Sequence, residues 1–146
     1  MMIGENEVMK LLLQACPSFA KSETWRLEPE YGLYVNLGFF ANHLAELLKE
    51  GKTEEITATF ITVERLLSEG DRSVQKEIVV ELLEATQRVL PRHTVQSMRQ
   101  YLQPKSAELW ENIKPETNWL KLWWSRWRLK RQSRRYYRLW QRPSSN

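Results

Sequence analysis

Cysteine, glycine and histidine are scarce in this chain. Of its 146 residues, one is cysteine, five are glycine and two are histidine. The single Cys16 excludes an internal disulfide and a metal cage built on several thiolates, and suits a reducing compartment. No phosphate-binding glycine loop, Ser-His-Asp motif or pair of histidines at metal-ligand spacing is present. We therefore expect a non-enzymatic protein with no cofactor, no metal and no small-molecule substrate.

Long hydrophobic runs are missing as well. No stretch approaches the roughly 18 consecutive apolar residues that a membrane span needs, because Lys121 and Arg126 interrupt the Trp-rich region. The N-terminal residues place Glu5 and Glu7 ahead of Leu11, the reverse of the basic region that opens a secretory signal. We expect a cytoplasmic protein, one that attaches to a membrane only peripherally if it attaches at all.

Acidic residues are absent from the end of the chain. All 18 lie at or before Glu116, whereas nine of the 22 basic residues follow position 120. Residues 1–120 carry 13 basic and 18 acidic residues, a net charge of −5, and residues 121–146 carry +9. Five of the seven tryptophans also lie between positions 119 and 140. This predicts an acidic helical domain at 1–118, a basic Trp-rich helix at 119–142 and a frayed end at 143–146.

Apolar residues recur at helical spacing along most of the chain. A first helix ends at Pro17, because proline disfavours helical geometry in the residue before it, and residues 18–30 are expected to form a loop. A second helix follows the apolar stripe from Leu33 to Leu47. Gly51 then stands where a left-handed C-cap belongs.

Two further long helices follow. The third is expected to begin with Thr53 as its N-cap and to stop at Gly70. Asp71 caps the fourth, which ends before Pro91 and whose centre, residues 78–83, is apolar on nearly every side. This wide apolar surface predicts that the fourth helix is the most buried one.

Prolines divide the remaining chain. Short helices are predicted at 94–102 and 106–113, with His93 in the loop before them, and a long final helix at about 116–140. No strand pattern and no hairpin turn is visible. The predicted fold class is therefore all-α: a helical bundle of about five to seven antiparallel helices with a long, basic, Trp-rich C-terminal helix.

The first chemically suggestive residues are His43, Glu46 and Cys16. His43 and Glu46 stand at i and i+3 on the second helix, the spacing of two metal ligands, but no second histidine accompanies them. A solvated pair at the edge of the Leu/Phe stripe is the favoured interpretation. Cys16 lies at a helix C-terminus, where nothing lowers a thiol pKa, so it is expected to be a buried small residue.

A second set is acidic: Glu64, Glu69 and Asp71 have the residue types of a paired-carboxylate site. Their positions have a simpler explanation. Asp71 caps a helix just after Gly70 has ended the previous one, and Glu69 is expected to face solvent.

Several short motifs and single residues near the predicted helix ends form a set that covers most of residues 11–113. It comprises LLQACPSF at 12–19, FFANHLAELLKEG at 39–51, Glu64, Arg65, Leu66, Glu69, Gly70, Asp71, Val74, Leu82, Leu83 and Glu84, then Tyr101, Leu102, Pro104, Ser106 and Trp110. This set resembles an uncharacterised family of small bacterial helical domains. The resemblance implies a compact all-helical fold and carries over no catalytic residue. Some such proteins look like neutralising or accessory proteins encoded near toxins.

The predicted C-terminal helix changes character along its length. On a helical wheel, one face is apolar from Trp119 to Trp127. Beyond residue 129, basic side chains occupy that same face. The first half is expected to pack on the acidic domain and the second half to project. The candidate partner-binding residues are Trp123, Trp124, Arg126, Trp127, Arg128, Lys130, Arg131, Arg134, Arg135, Tyr137, Arg138 and Trp140.

Three interpretations of this helix stay open. In the first, its tryptophans are core residues and its arginines offset the negative charge of the acidic domain or are solvated. In the second, the helix lies on an anionic membrane surface. In the third, it binds RNA or single-stranded DNA, with aromatic rings stacking on bases. The leading hypothesis for the protein is a non-enzymatic protein-interaction module of adaptor or toxin-neutralising type. The alternative is a polyanion-binding protein that uses the C-terminal helix.

Overall fold

Helices supply the regular structure of residues 2–23, 25 and 32–113, the part of the chain that the computed structural model describes. In order they are α1 (Glu5–Ala15), α2 (Pro17–Ala20), α3 (Leu33–Glu50), α4 (Thr53–Glu69), α5 (Arg72–Glu77), the π-helical segment π1 (Ile78–Glu84), α6 (Ala85–Val89), α7 (Arg92–Arg99) and α8 (Pro104–Asn112). The only β contact among the described residues is an isolated bridge between Ile3 and Gly70. The fold is an all-α helical bundle, as predicted.

The core lies around α3 and α4. Helix α3 packs against α1, π1 and α6, and α4 packs against α1 and α8. The largest fully buried side chains include Phe19, Phe40 and Phe60, one from each of α2, α3 and α4. Burial of such a side chain contributes about 1.5–3 kcal/mol, so these three rings are a large part of what holds the bundle together.

The glycines that end α3 and α4 differ in their reason for being glycine. Gly51 has a φ of 76° and forms the predicted left-handed C-cap. Gly70 has an ordinary φ of −72°, but a Cβ there would lie 2.4 Å from the Leu66 carbonyl oxygen and 2.6 Å from a Val74 methyl carbon. Gly70 is therefore required by close packing.

The bridge to Gly70 ties the N-terminal residues to the turn between α4 and α5. The Ile3 amide donates to the Glu69 carbonyl at 2.8 Å, and the Asp71 amide donates to the Ile3 carbonyl at 2.9 Å. Asp71 also caps α5 as predicted, since its carboxylate accepts from the Val74 amide at 2.9 Å. Three chain segments therefore meet at this turn.

Several predicted boundaries were wrong. Pro17 does end α1, but it also begins α2, where its missing amide is no loss, so residues 17–20 are helical and not loop. Thr53 is the first residue of α4 and Lys52 holds the cap position. His93 lies inside α7, and Pro104 begins α8, two residues earlier than expected.

The fourth predicted helix is present as α5, π1 and α6. Its deep burial is confirmed for the inner side, where Ile78, Leu82 and Leu83 are inaccessible to solvent. Val79 and Val80, on the other side, are only half-buried. Only part of this wide apolar surface therefore lies in the core.

None of the described helices combines the length and the apolarity that spanning a bilayer requires. The predicted C-terminal helix, with its projecting basic half, lies outside the described residues.

Candidate functional site

A groove of about 600 Å³ opens on the surface formed by α4, α5, π1 and α8. Its lining is mostly apolar and it is open to solvent. We call it the α5–α8 groove. The lining residues are Leu67, Arg72, Gln75, Lys76, Val79, Val80, Lys105, Glu108 and Leu109.

The first wall of the groove is formed by α5 and π1, whose helical spacing sets the order of its side chains. Arg72, Lys76 and Val80 stand four residues apart, so they lie in one row along α5 and π1. Gln75 and Val79 form the neighbouring row, and the Gln75 side-chain amide is held by donation to the Gly70 carbonyl at 3.0 Å. The wall therefore runs from a basic end at α5 to an apolar end at π1. We call the apolar lining residues the floor of the groove: Leu67, Val79, Val80 and Leu109.

The second wall is α8, and Glu64 holds it in place. The Glu64 carboxylate accepts from the Lys105 amide at 2.8 Å and from the Ser106 amide at 3.1 Å. A carboxylate from α4 thus satisfies two free amides in the first turn of α8, where the helix dipole also favours negative charge. The Ser106 hydroxyl adds a local cap by accepting from the Gln103 amide at 3.0 Å.

Glu64 is therefore part of the helix-capping framework, separate from the other two acidic residues. Asp71 caps α5, and Glu69 is half-exposed and pairs with Arg65 at 3.3 Å on the surface of α4. The simpler explanation of these acidic residues is confirmed for Glu69 and Asp71. The role of Glu64 in orienting α8 has no signal in the sequence.

Positive charge dominates the rim of the α5–α8 groove. Arg72, Lys76 and Lys105 are exposed, and within residues 2–23, 25 and 32–113 no carboxylate lies within 4.0 Å of their side-chain nitrogens. Glu108 is the one acidic lining residue. An apolar floor beside cations that have no counterion in the described part of the chain can bury apolar groups and attract negative charge at the same time.

A second polar cluster lies at the corner of α1, α2, α3 and α4. The Ser18 hydroxyl lies 2.6 Å from Nε2 of His43, and the Ser18 amide donates to the Glu55 carboxylate at 2.9 Å. The Cys16 sulfur lies 3.7 Å from the same hydroxyl. We call these four residues the Ser18 corner.

The pKa values at the Ser18 corner follow from burial and hydrogen bonding. Burial lowers the pKa of the His43 imidazole, so the ring is neutral at pH 7 and its Nε2 can accept from Ser18. Burial raises the pKa of the Cys16 thiol, which stays protonated. Burial alone would raise the pKa of Glu55, but hydrogen bonds from Ser18 and Cys16 outweigh it and lower that pKa.

This geometry corrects one expectation and confirms another. His43 is not a solvated partner of Glu46: its ring is half-buried, packs against Phe19 with centroids 5.4 Å apart and is hydrogen-bonded to Ser18. Cys16 is fully buried, as predicted. Among the described residues no carboxylate is hydrogen-bonded to Nδ1 of His43, and no group of three or more metal-ligating side chains occurs. The corner ties three segments together through neutral and charged hydrogen bonds.

The twelve candidate residues on the predicted C-terminal helix, from Trp123 to Trp140, all lie outside the described residues. The structure instead brings together Arg72, Lys76 and Lys105, which the sequence analysis did not single out. A signal for this surface was present: the apolar surface of residues 78–83 is wider than one buried face needs, and two basic residues precede it at i, i+4 spacing.

Residues 9–119 match the family model of a domain of unknown function, DUF7674. The match spans most of the chain. The chain belongs to this family. No curated protein and no solved structure is significantly similar to it. The DUF7674 domain therefore includes both the Ser18 corner and the whole α5–α8 groove, whereas most of the basic C-terminal segment follows the matched region.

Proposed function

We propose that this DUF7674 domain is a non-enzymatic protein-interaction module of the bacterial cytoplasm, and that its docking surface is the α5–α8 groove. The observation that carries the proposal is the half-buried pair Val79 and Val80 beside cations that have no ion-pair partner among the described residues. Valines in the core contribute their full burial to folding, whereas the exposed part of a half-buried valine contributes only when a partner covers it. An adaptor or toxin-neutralising role fits such a surface.

The Ser18 corner supports a non-enzymatic role. Its hydroxyl, imidazole and carboxylate are used to join α2 to α3 and α4, since Glu55 accepts from the Ser18 amide and His43 contacts the Ser18 hydroxyl. The carboxylate that would orient His43 in a catalytic triad is bonded to Ser18 instead. A hydrolytic turnover that Ser18→Ala abolishes in a still-folded protein would contradict the proposal.

The direct test is affinity purification of the tagged full-length chain from host lysate, with and without nuclease, beside the variant Val80→Glu. We expect one protein at comparable amount that survives nuclease and is lost with Val80→Glu, because a buried charge on the floor opposes docking. A partner retained equally by Val80→Glu would remove the groove from the proposal.

A second candidate function rests on the charge of residues 121–146, which carry nine basic and no acidic residues. In this alternative the C-terminal segment binds an anionic membrane surface, RNA or single-stranded DNA. Its test is the full-length chain with Lys130, Arg131, Arg134 and Arg135 changed to Gln. Binding to anionic vesicles or to single-stranded RNA that falls steeply with salt and is lost in this variant would favour the alternative.

A further inference from the structure

The α5–α8 groove also indicates the chemistry of its partner. A helix is the partner element that fits this part of the molecule. Residues 2–23, 25 and 32–113 offer no strand edge to extend, since their one β contact is an isolated bridge. The groove instead runs between two helical walls over an apolar floor, the arrangement in which an amphipathic helix docks by residues at i, i+3, i+4 and i+7.

A peptide fits the open shape better than a small molecule does. Ligand sites for small molecules enclose most of the ligand surface, whereas this groove is open to solvent and Val79 and Val80 stay half-exposed. A helix that lies along the groove covers both valines with successive side chains. Its solvent-facing side needs no enclosure.

The rim determines the charge of that helix. Arg72 and Lys76 stand on one wall and Lys105 on the other, so a docked helix has cations along both of its flanks. A basic helix would bring like charges together at a partly desolvated surface, whereas acidic flanks would place negative charge next to these cations. Glu108, beside Leu109, favours one basic residue at that single position of the partner.

We propose that the α5–α8 groove binds an amphipathic helix whose apolar face is flanked by acidic residues. This inference rests on the proposed function as an interaction module and adds the class of partner. The negative flanks contact Arg72, Lys76 and Lys105, and the apolar face covers Val79 and Val80.

The test uses the full-length protein and three labelled synthetic peptides of roughly 16 residues, long enough for four helical turns. The first has leucines at i, i+3, i+4 and i+7 spacing with glutamates on both flanks. The second has lysines in place of the glutamates, and the third contains the residues of the first in an order without amphipathic spacing. Fluorescence anisotropy measures each affinity. We expect saturable binding of the first peptide and affinities at least about tenfold weaker for the others.

Two variants locate the binding. The double variant Arg72→Glu/Lys76→Glu should lower the affinity for the glutamate peptide by about tenfold and raise the affinity for the lysine peptide. Lys10→Glu/Lys49→Glu makes the same change of charge at exposed positions outside the groove and should leave both affinities unchanged. Val80→Glu should lower the affinity for the glutamate peptide. It should leave Tm unchanged, because Val80 is half-exposed.

Four results would overturn the inference. Equal binding of the reordered peptide, or binding unaffected by Val80→Glu, would assign the interaction to the basic residues after position 120. Binding of decanoate at the groove without binding of the first peptide would make the site one for a small anionic amphiphile. Absence of peptide binding, while a lysate partner is still lost with Val80→Glu, would reject the acidic helix and leave the interaction module standing.

Discussion

The Ser18 corner and the α5–α8 groove use polar groups in opposite ways. At the corner, Ser18, His43 and Glu55 meet one another through hydrogen bonds of 2.6 and 2.9 Å, so the polar atoms stabilise the junction of α2, α3 and α4. At the groove, Arg72 and Lys76 stand beside half-buried valines without an ion-pair partner among the described residues. Polar groups therefore join helices at the corner, whereas at the groove the charged groups stay available for the proposed partner.

The largest effect on stability is expected at Gly70, where the first wall of the groove begins. Gly70→Ala forces a Cβ to within 2.6 Å of the Leu66 carbonyl oxygen and Val74, so the backbone has to shift. We expect the free energy of unfolding to fall by about 3 kcal/mol in urea titration. Gly51→Ala, where nothing lies within 4 Å and only the positive φ opposes the change, should cost about 1 kcal/mol. Equal losses would show that the turn at Gly70 relaxes freely.

The next effect separates the two regions by function. Glu64→Ala removes the carboxylate that accepts from two amides of α8, and Glu55→Ala removes the one that accepts from the Ser18 amide. Each should lower the free energy of unfolding by about 1–2 kcal/mol. Only Glu64→Ala should also weaken peptide binding at the groove, since it frees the second wall. If Glu55→Ala weakens peptide binding to the same extent, the two regions are coupled.

A smaller, pH-dependent effect is expected from the Ser18 corner. The pKa of His43 is lowered by burial in the folded state, so below the unfolded value of 6.5 the unfolded chain binds the proton first. The free energy of unfolding should therefore fall as the pH decreases from 6.5 towards the folded pKa. At pH values well above 6.5 it should stay constant. Unfolding titrations between pH 7.5 and 5 measure this decline.

The control for this decline is His43→Gln, which keeps a hydrogen-bond acceptor for Ser18 and removes the titration. Subtracting its profile also removes the opposite contribution of Glu77, whose pKa burial and the nearby Glu5 raise. The decline should be absent from the His43→Gln profile and should remain in the difference between wild type and His43→Gln. A decline that persists in His43→Gln would assign it to another group.

The smallest effect is expected on the groove floor. Val80→Ser removes apolar surface that is already half-exposed, so the unfolding free energy should change by about 0.5 kcal/mol or less. The measurement is the urea midpoint beside wild type, with peptide affinity as the second readout. A large loss of stability would mean that Val80 belongs to the core, and the contrast between groove and corner would weaken.

Much of the fold was predictable from local rules. Gly51 as a left-handed cap, Asp71 as an N-cap and the apolar stripe of α3 each depend on residues within one or two helical turns. Helical periodicity carries that information because the side chains that share a face are close in sequence. The boundaries that were wrong, at Pro17, Thr53 and Pro104, are positions where a residue type fits either a cap or a first turn.

The candidate site was far less predictable. His43 and Ser18 are 25 residues apart in sequence, and Glu64 is 41 residues from Lys105, so neither contact has a local signature. From the sequence, the binding residues were predicted on the C-terminal helix because basic residues and tryptophans are concentrated there. Those residues lie outside the described part of the chain, so this hypothesis remains a prediction.

By itself the sequence determined the helical class, the division into an acidic region and a basic end, and the ends of α3 and α4. These properties follow from composition and from periodicities within a few turns. Only the tertiary structure decided which face of the fourth predicted helix enters the core and which lines the groove, because Ile78 and Val79 are equally apolar and adjacent in sequence. Their difference arises from the neighbours on each side: α3 packs along the inner face, whereas the outer face borders an open groove that α8 only partly covers.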